Sequence, residues 1–181
     1  MAVVLGACTL GSPAEPSGST IPIISPSAYA TLLITSNYVD NLAKALGTVR
    51  GAETTMFQAD PYSSEGAAAV RSLRTAWQAV AMKLYDLREL EKLGDAYRGP
   101  LKRLPQAEVL VGRAVHLWLQ ALDRIDSIVA QNQPMASAKA AIDPAVQAED
   151  AASTAVVGAH DEIAFLICAG AGDSGCRSPS P

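Results

Sequence analysis

Aromatic residues are scarce in this chain. They account for 5% of its 181 residues, whereas 49% of the residues are hydrophobic and alanine is common among them. Sheet proteins depend on aromatic and β-branched residues, so this composition argues against a β-sandwich and favours closely packed helices. Long hydrophobic runs are lacking too. No stretch approaches the ~20 consecutive apolar residues of a membrane span, and we expect no integral membrane protein.

An excess of basic residues is also lacking. The chain has 14 Lys and Arg residues against 18 Asp and Glu residues, which gives a formal net charge of −4. Nucleic-acid-binding domains usually carry a basic patch or stripe, and no block of like charge occurs here. We therefore expect no nucleic-acid partner.

Groups suited to catalysis or metal binding are sparse. The chain has only two histidines, His116 and His160, and neither follows a glutamate by three residues, as helical di-metal sites require. No nucleophile, acid and base stand at a spacing that would assemble a catalytic set. We expect a protein that is not an enzyme and that has no metal and no cofactor.

The three cysteines lie near the two ends of the chain, at Cys8, Cys168 and Cys176. Residues 5–8, Leu-Gly-Ala-Cys, resemble the lipobox of bacterial lipoproteins, in which a branched apolar residue and two small residues precede the cysteine. The resemblance implies that Cys8 carries a lipid and anchors the protein at the periplasmic face of a membrane. The next stretch, TLGSPAEPSGSTIPIISPS, has the composition of a flexible tether. We interpret residues 1–24 as the remnant of a lipoprotein signal followed by this tether; the alternative is an ordinary N-terminus with a buried cysteine.

If Cys8 is acylated, Cys168 and Cys176 remain as a pair. The seven residues between them, AGAGDSG, are rich in glycine and would let their Cα atoms approach to disulfide distance. We predict a disulfide between these two residues. The alternative is a pair of reduced thiols in a cytosolic protein.

Helical periodicity predicts four long helices, over about residues 25–58, 64–97, 105–131 and 143–168. Ser25-Pro26 and Asp143-Pro144 are typical helix starts, with a capping residue followed by proline at the first helical position. Short connections between long helices favour an antiparallel, up-down-up-down four-helix bundle. The bundle domain would span residues 25–176, after an extended N-terminal tether, and residues 177–181 would be a disordered tail.

This topology would place two sets of connections at opposite ends of the bundle. One end would hold the tether and the basic loop YRGPLKR, which contains Arg98, Lys102 and Arg103. A lipid anchor would bring these cations near an anionic membrane surface. The other end would carry Tyr62 and Met135 on loops, and we expect partner contacts there.

Trp77 and Trp118 fall in the middle of the apolar stripes of the second and third helices. Such residues pack in a core or line a ligand cavity. The sequence as a whole favours a membrane-anchored periplasmic lipoprotein that acts as a scaffold or binds a protein partner of the cell envelope. Two alternatives remain: a small-molecule-binding bundle with its site near the tryptophans, and an intracellular or phage-derived helical structural subunit.

Overall fold

The computed structural model describes residues 24–91, 101–171 and 176. These residues form four helices, α1 (Pro26–Gln58), α2 (Ser64–Glu91), α3 (Arg103–Ala130) and α4 (Lys139–Gly170), with a 3-10 turn at Met135–Ala138, and they include no strand. Each helix packs against the next one in the chain, and α1 packs against α4 to close the ring. The predicted all-α, up-down-up-down bundle is therefore confirmed.

Local sequence explains where α1 begins and where α3 ends. The Ser25 hydroxyl accepts a hydrogen bond from the Ala28 backbone N–H at 3.2 Å, and Pro26 is the first helical residue. This is the predicted cap, in which the serine oxygen satisfies a free helix N–H. After α3, Asn132 adopts a φ of 51°, a left-handed conformation that asparagine tolerates better than most residues. The chain can then turn back into α4.

The starts of α3 and α4 lie earlier than the sequence indicated. Helix α3 begins at Arg103, so Pro105 lies within its first turn, where a missing N–H costs no helical hydrogen bond. Helix α4 begins at Lys139 and contains Pro144. The predicted cap at Asp143 is wrong, because its carboxylate instead receives hydrogen bonds from Lys139 Nζ at 2.8 and 2.6 Å. The preceding 3-10 turn feeds directly into α4, so no cap at Asp143 is needed.

The core lies along the bundle axis and combines two large rings with many small side chains. Trp77 and Trp118 are both fully buried near the middle of α2 and α3. Buried alanines let α3 and α4 approach closely, since their small side chains leave room for the facing helix. These alanines are Ala107, Ala114 and Ala121 of α3 and Ala145, Ala148, Ala152 and Ala159 of α4.

One segment, Met135–Gly170, is long and apolar enough to cross a membrane by length and composition alone. Its buried face, which includes Ala152 and Ile163, packs inside the bundle. A core helix of a bundle meets the same criteria, so this finding alone is weak support for a membrane span. The expectation that the chain does not span a membrane stays a prediction.

Candidate functional site: an apolar cavity at one end of the bundle

A cavity of about 450 Å³ opens at the end of the bundle where α1 leads into α2 and α3 leads into α4. We call it the loop-end cavity. Nine of its eleven lining residues have apolar side chains or none, a composition typical of binding sites rather than of solvated surface. The lining residues are Met56, Phe57, Ala59, Pro61, Gly66, Val70, Met135, Ala136, Lys139, Ile142 and Asp143.

A close backbone approach shapes one wall of the cavity. A Cβ added at Gly66 would lie 2.1 Å from the carbonyl oxygen of Asp60, a distance that no side chain tolerates. Ser63 holds the same turn, since its hydroxyl donates to the Asp60 carbonyl at 2.7 Å and accepts from the Gly66 N–H at 3.0 Å. Glycine at position 66 therefore lets the 59–63 loop fold tightly onto the first turn of α2.

Both residues predicted for partner contacts lie at this end. Met135 lines the loop-end cavity. Tyr62 is 45% exposed, and its hydroxyl donates a hydrogen bond to the carbonyl oxygen of Gln133. That bond joins the α1–α2 connection to the α3–α4 connection. Phe57, which the sequence did not single out, lines the cavity and is 55% exposed.

The polar groups of the cavity wall neutralise each other. Lys139 and Asp143 lie one helical turn apart on α4 and form an ion pair. The bordering segments carry two further carboxylates, at Asp60 and Glu65, which are both exposed. Segments 56–66 and 135–143 thus carry three acidic residues and one basic residue, so this end is mildly acidic.

The two tryptophans fill the core. Their ring centroids are 6.0 Å apart with the planes 22° from parallel, which is a stacked arrangement. Neither residue lines the loop-end cavity, so that cavity and the suggested site at the tryptophans are separate places. The rings differ in their hydrogen bonds: Trp118 Nε1 donates to Glu149 Oε2 at 3.0 Å, whereas Trp77 Nε1 is buried without a partner in the described part of the chain.

Sequence reasoning missed a pair of carboxyl groups between α1 and α4. Glu149 is only 3% exposed, and its carboxyl meets that of Glu53 on α1. Burial, followed by the hydrogen bond with Glu149 and its charge, raises the pKa of Glu53 to about 9, while Arg50 opposes the shift. The burial of Glu149 could have been predicted from the sequence, because this residue falls on the apolar stripe of α4 between Ala145 and Ala152.

Of the predicted basic loop, Lys102 and Arg103 lie at the opposite end of the bundle, whereas Arg98 falls outside the described residues. Lys102 is exposed, but Arg103 is the first residue of α3 and its guanidinium lies over Gly158 of α4. The backbone N–H groups of both residues donate to the Glu162 carboxylate, at 3.1 and 2.8 Å. A carboxylate from α4 thus caps the positive end of α3.

The cysteines that the structure describes lie at this same end. Cys168 and Cys176 form a disulfide with their Cα atoms 5.8 Å apart, as predicted from their spacing. The end of α4 meets the start of α1, since a Cβ at Gly170 would lie 3.1 Å from the Tyr29 ring. The predicted lipid site, Cys8, falls outside the described residues.

Neither histidine is grouped with other metal-ligating side chains in the part of the chain that the structure describes. His116 is exposed on α3, and His160 Nε2 lies 3.2 Å from Asp40 Oδ1. Among the described residues, no three His, Cys, Asp or Glu side chains are grouped so that they could ligate an ion.

Comparison with known proteins gives no relative from which a function could be transferred. The chain matches no protein-family model, no curated protein and no solved structure. Its function has to be argued from its own geometry.

Proposed function

We propose that this protein is a lipid-anchored helical bundle of the bacterial cell envelope that binds a protein partner at the loop-end cavity. The observation that carries the proposal is the cavity itself, about 450 Å³ with a largely apolar lining beside the exposed ring of Phe57. Exposed apolar surface around a concave site is typical of interaction sites, because its burial by a partner is favourable. The anchor rests on the lipobox-like residues 5–8.

The chemistry of the lining favours a protein segment as the occupant. Methionine and aromatic residues are enriched in the centres of protein interfaces, and flexible methionines adapt to different partner side chains. Met56, Met135 and Phe57 supply such a surface here. The mildly acidic border favours a partner segment that carries large apolar side chains and flanking neutral or basic residues, since acidic groups would be repelled.

A small apolar molecule is the second candidate for the same cavity. The volume falls within the ~300–1,000 Å³ of small-molecule sites. The polar groups in the lining, Lys139 and Asp143, already satisfy each other, which leaves few groups to orient a polar ligand. The two candidates therefore differ in what must accompany the purified protein, a polypeptide or a small hydrophobic compound.

Site-specific photo-cross-linking in cells tests the proposal. Probes at Phe57 and Met135 should capture one common protein, whereas probes at Val109 and Val157 should not. The control positions are also exposed apolar residues, but they lie on the flanks of α3 and α4. A probe at Lys102 tests the opposite end, and capture there instead would mean that the basic end is the working surface.

A filled cavity provides the specificity control. Ala136→Trp places a large ring at a lining position and should abolish the cross-link from Met135, whereas Ala79→Trp, on an exposed face of α2, should leave it intact. Native mass spectrometry of the purified protein would reveal a retained small ligand, which would favour the second candidate.

The lipid anchor has its own test. The wild-type protein should be labelled by an alkyne fatty acid in cells, and Cys8→Ser should lose this label. Equal labelling of the wild type and the variant would refute the anchor.

A further inference from the structure

Three helices bring polar groups together inside the bundle wall. Glu149 of α4 is almost fully buried and accepts a hydrogen bond from the Trp118 indole of α3 at 3.0 Å. The carboxyl of Glu53 on α1 meets the Glu149 carboxyl, and Glu53 Oε1 is buried with no hydrogen-bond partner among the described residues. Arg50 Nε lies 3.7 Å from Glu149 Oε1, on a side chain that is 59% exposed.

Among the described residues whose charges act on Glu53, Arg50 of α1 is the single cation, so one negative charge can be balanced beside Glu53 and Glu149. Asp150 of α4 adds another anion, 3.9 Å from the Arg50 guanidinium. Helix α3 contributes the uncharged indole, and none of the charges that act on Glu53 comes from α2 in the described residues. Two touching carboxyl groups seldom ionise together, because each anion raises the energy of the other.

We propose that Glu53 and Glu149 share a single proton at neutral pH and that this proton joins α1 to α4. Glu149 is the anionic member, because the Trp118 N–H already stabilises its charge. Glu53 is the protonated member and donates its O–H to the Glu149 carboxylate, a charge-assisted hydrogen bond. The raised pKa of Glu53 agrees with this assignment. The inference is independent of what binds in the loop-end cavity.

The shared proton makes stability depend on pH in the direction opposite to that of ordinary carboxylates. In the unfolded chain Glu53 titrates near its usual value of 4.5, whereas in the folded protein its pKa is about 9. The folded state therefore binds one proton more than the unfolded state between these values. The stabilisation is complete below pH 4.5 and is lost as the pH rises through about 9. Relative to a variant that cannot titrate at position 53, the unfolding constant should rise by up to about tenfold per pH unit in this window.

Glu53→Gln is the central variant, since its amide donates to Glu149 without titrating. Urea unfolding of the full chain between pH 5 and 9 should show that this variant lacks the pH slope described above. Glu65→Gln, which removes an exposed carboxylate at the start of α2, should keep the wild-type slope. Identical slopes in wild type and Glu53→Gln would overturn the proposal.

A second measurement starts from the wild-type protein, so its main result does not depend on whether a variant folds. Carbon-13 NMR of the glutamate carboxyl groups should show Glu53 still protonated at pH 7, and Glu149→Gln should move its titration toward the ordinary range. A Glu53 carboxyl that titrates together with Glu65 in the wild type would overturn the proposal, whatever the variants do.

Discussion

Replacing each tryptophan by phenylalanine should have unequal costs, although both rings are fully buried and stacked on each other. Trp77→Phe removes an indole N–H that has no hydrogen-bond partner among the described residues, so the substitution loses packing contacts alone. A loss of a few buried atoms in a core typically costs about 1 kcal/mol. Phenylalanine retains an aromatic ring that can stack on Trp118.

Trp118→Phe removes the same atoms and also the hydrogen bond to Glu149 Oε2. Loss of a hydrogen bond to a charged group costs roughly 1.5–3 kcal/mol, because the buried carboxylate keeps its charge and loses a donor. We therefore expect Trp118→Phe to lower the free energy of unfolding by about 2 kcal/mol more than Trp77→Phe. In a chain of this size that difference corresponds to a fall in Tm of roughly 4–8 °C.

Far-UV circular dichroism in urea is the suitable assay, because it does not depend on tryptophan emission. The double variant Trp118→Phe with Glu149→Gln completes a mutant cycle and should show a coupling energy of about 1 kcal/mol or more, as expected for groups in contact. Equal costs for the two single variants, or no coupling in the cycle, would refute the assignment of the Trp118–Glu149 bond as a structural contact.

Two further perturbations test the loop end and the opposite end. Gly66→Ala should destabilise the protein by ~2 kcal/mol or more in the same urea assay, because the added methyl group meets a backbone carbonyl. The control Gly51→Ala has open space around its Cα and should stabilise the protein by ~0.5–1 kcal/mol. If Gly66→Ala left stability unchanged, the tight turn would be misplaced. Reduction of the Cys168–Cys176 disulfide should lower the free energy of unfolding by roughly 2–3 kcal/mol, as the loop-closure model gives. Non-reducing peptide mapping of protein from an oxidising compartment checks the bond, and two free thiols would contradict it.

The sequence by itself determined the elements of this protein and their order. The recurrence of apolar residues every three or four positions predicted four helices, and the Ser25-Pro26 pair predicted where α1 begins. Short connections predicted antiparallel neighbours, which places Tyr62 and Met135 at one end of the bundle and Lys102 at the other. These features are local or follow from topology, so periodicity and turn chemistry suffice to predict them.

Only the tertiary structure decided what lies between the elements. The loop-end cavity depends on how two connections pack over the ends of α1 and α2, and no periodicity encodes that packing. Glu53 and Glu149 meet because α1 and α4 close the ring, and burial, followed by the contact with Glu149, raises the Glu53 pKa. The tryptophans occupy equivalent stripe positions, but among the described residues a carboxylate on a third helix gives Trp118, and not Trp77, a hydrogen-bond partner. Cavities, proton sharing and buried hydrogen bonds arise from residues far apart in the chain, so their distances are fixed only when the helices pack.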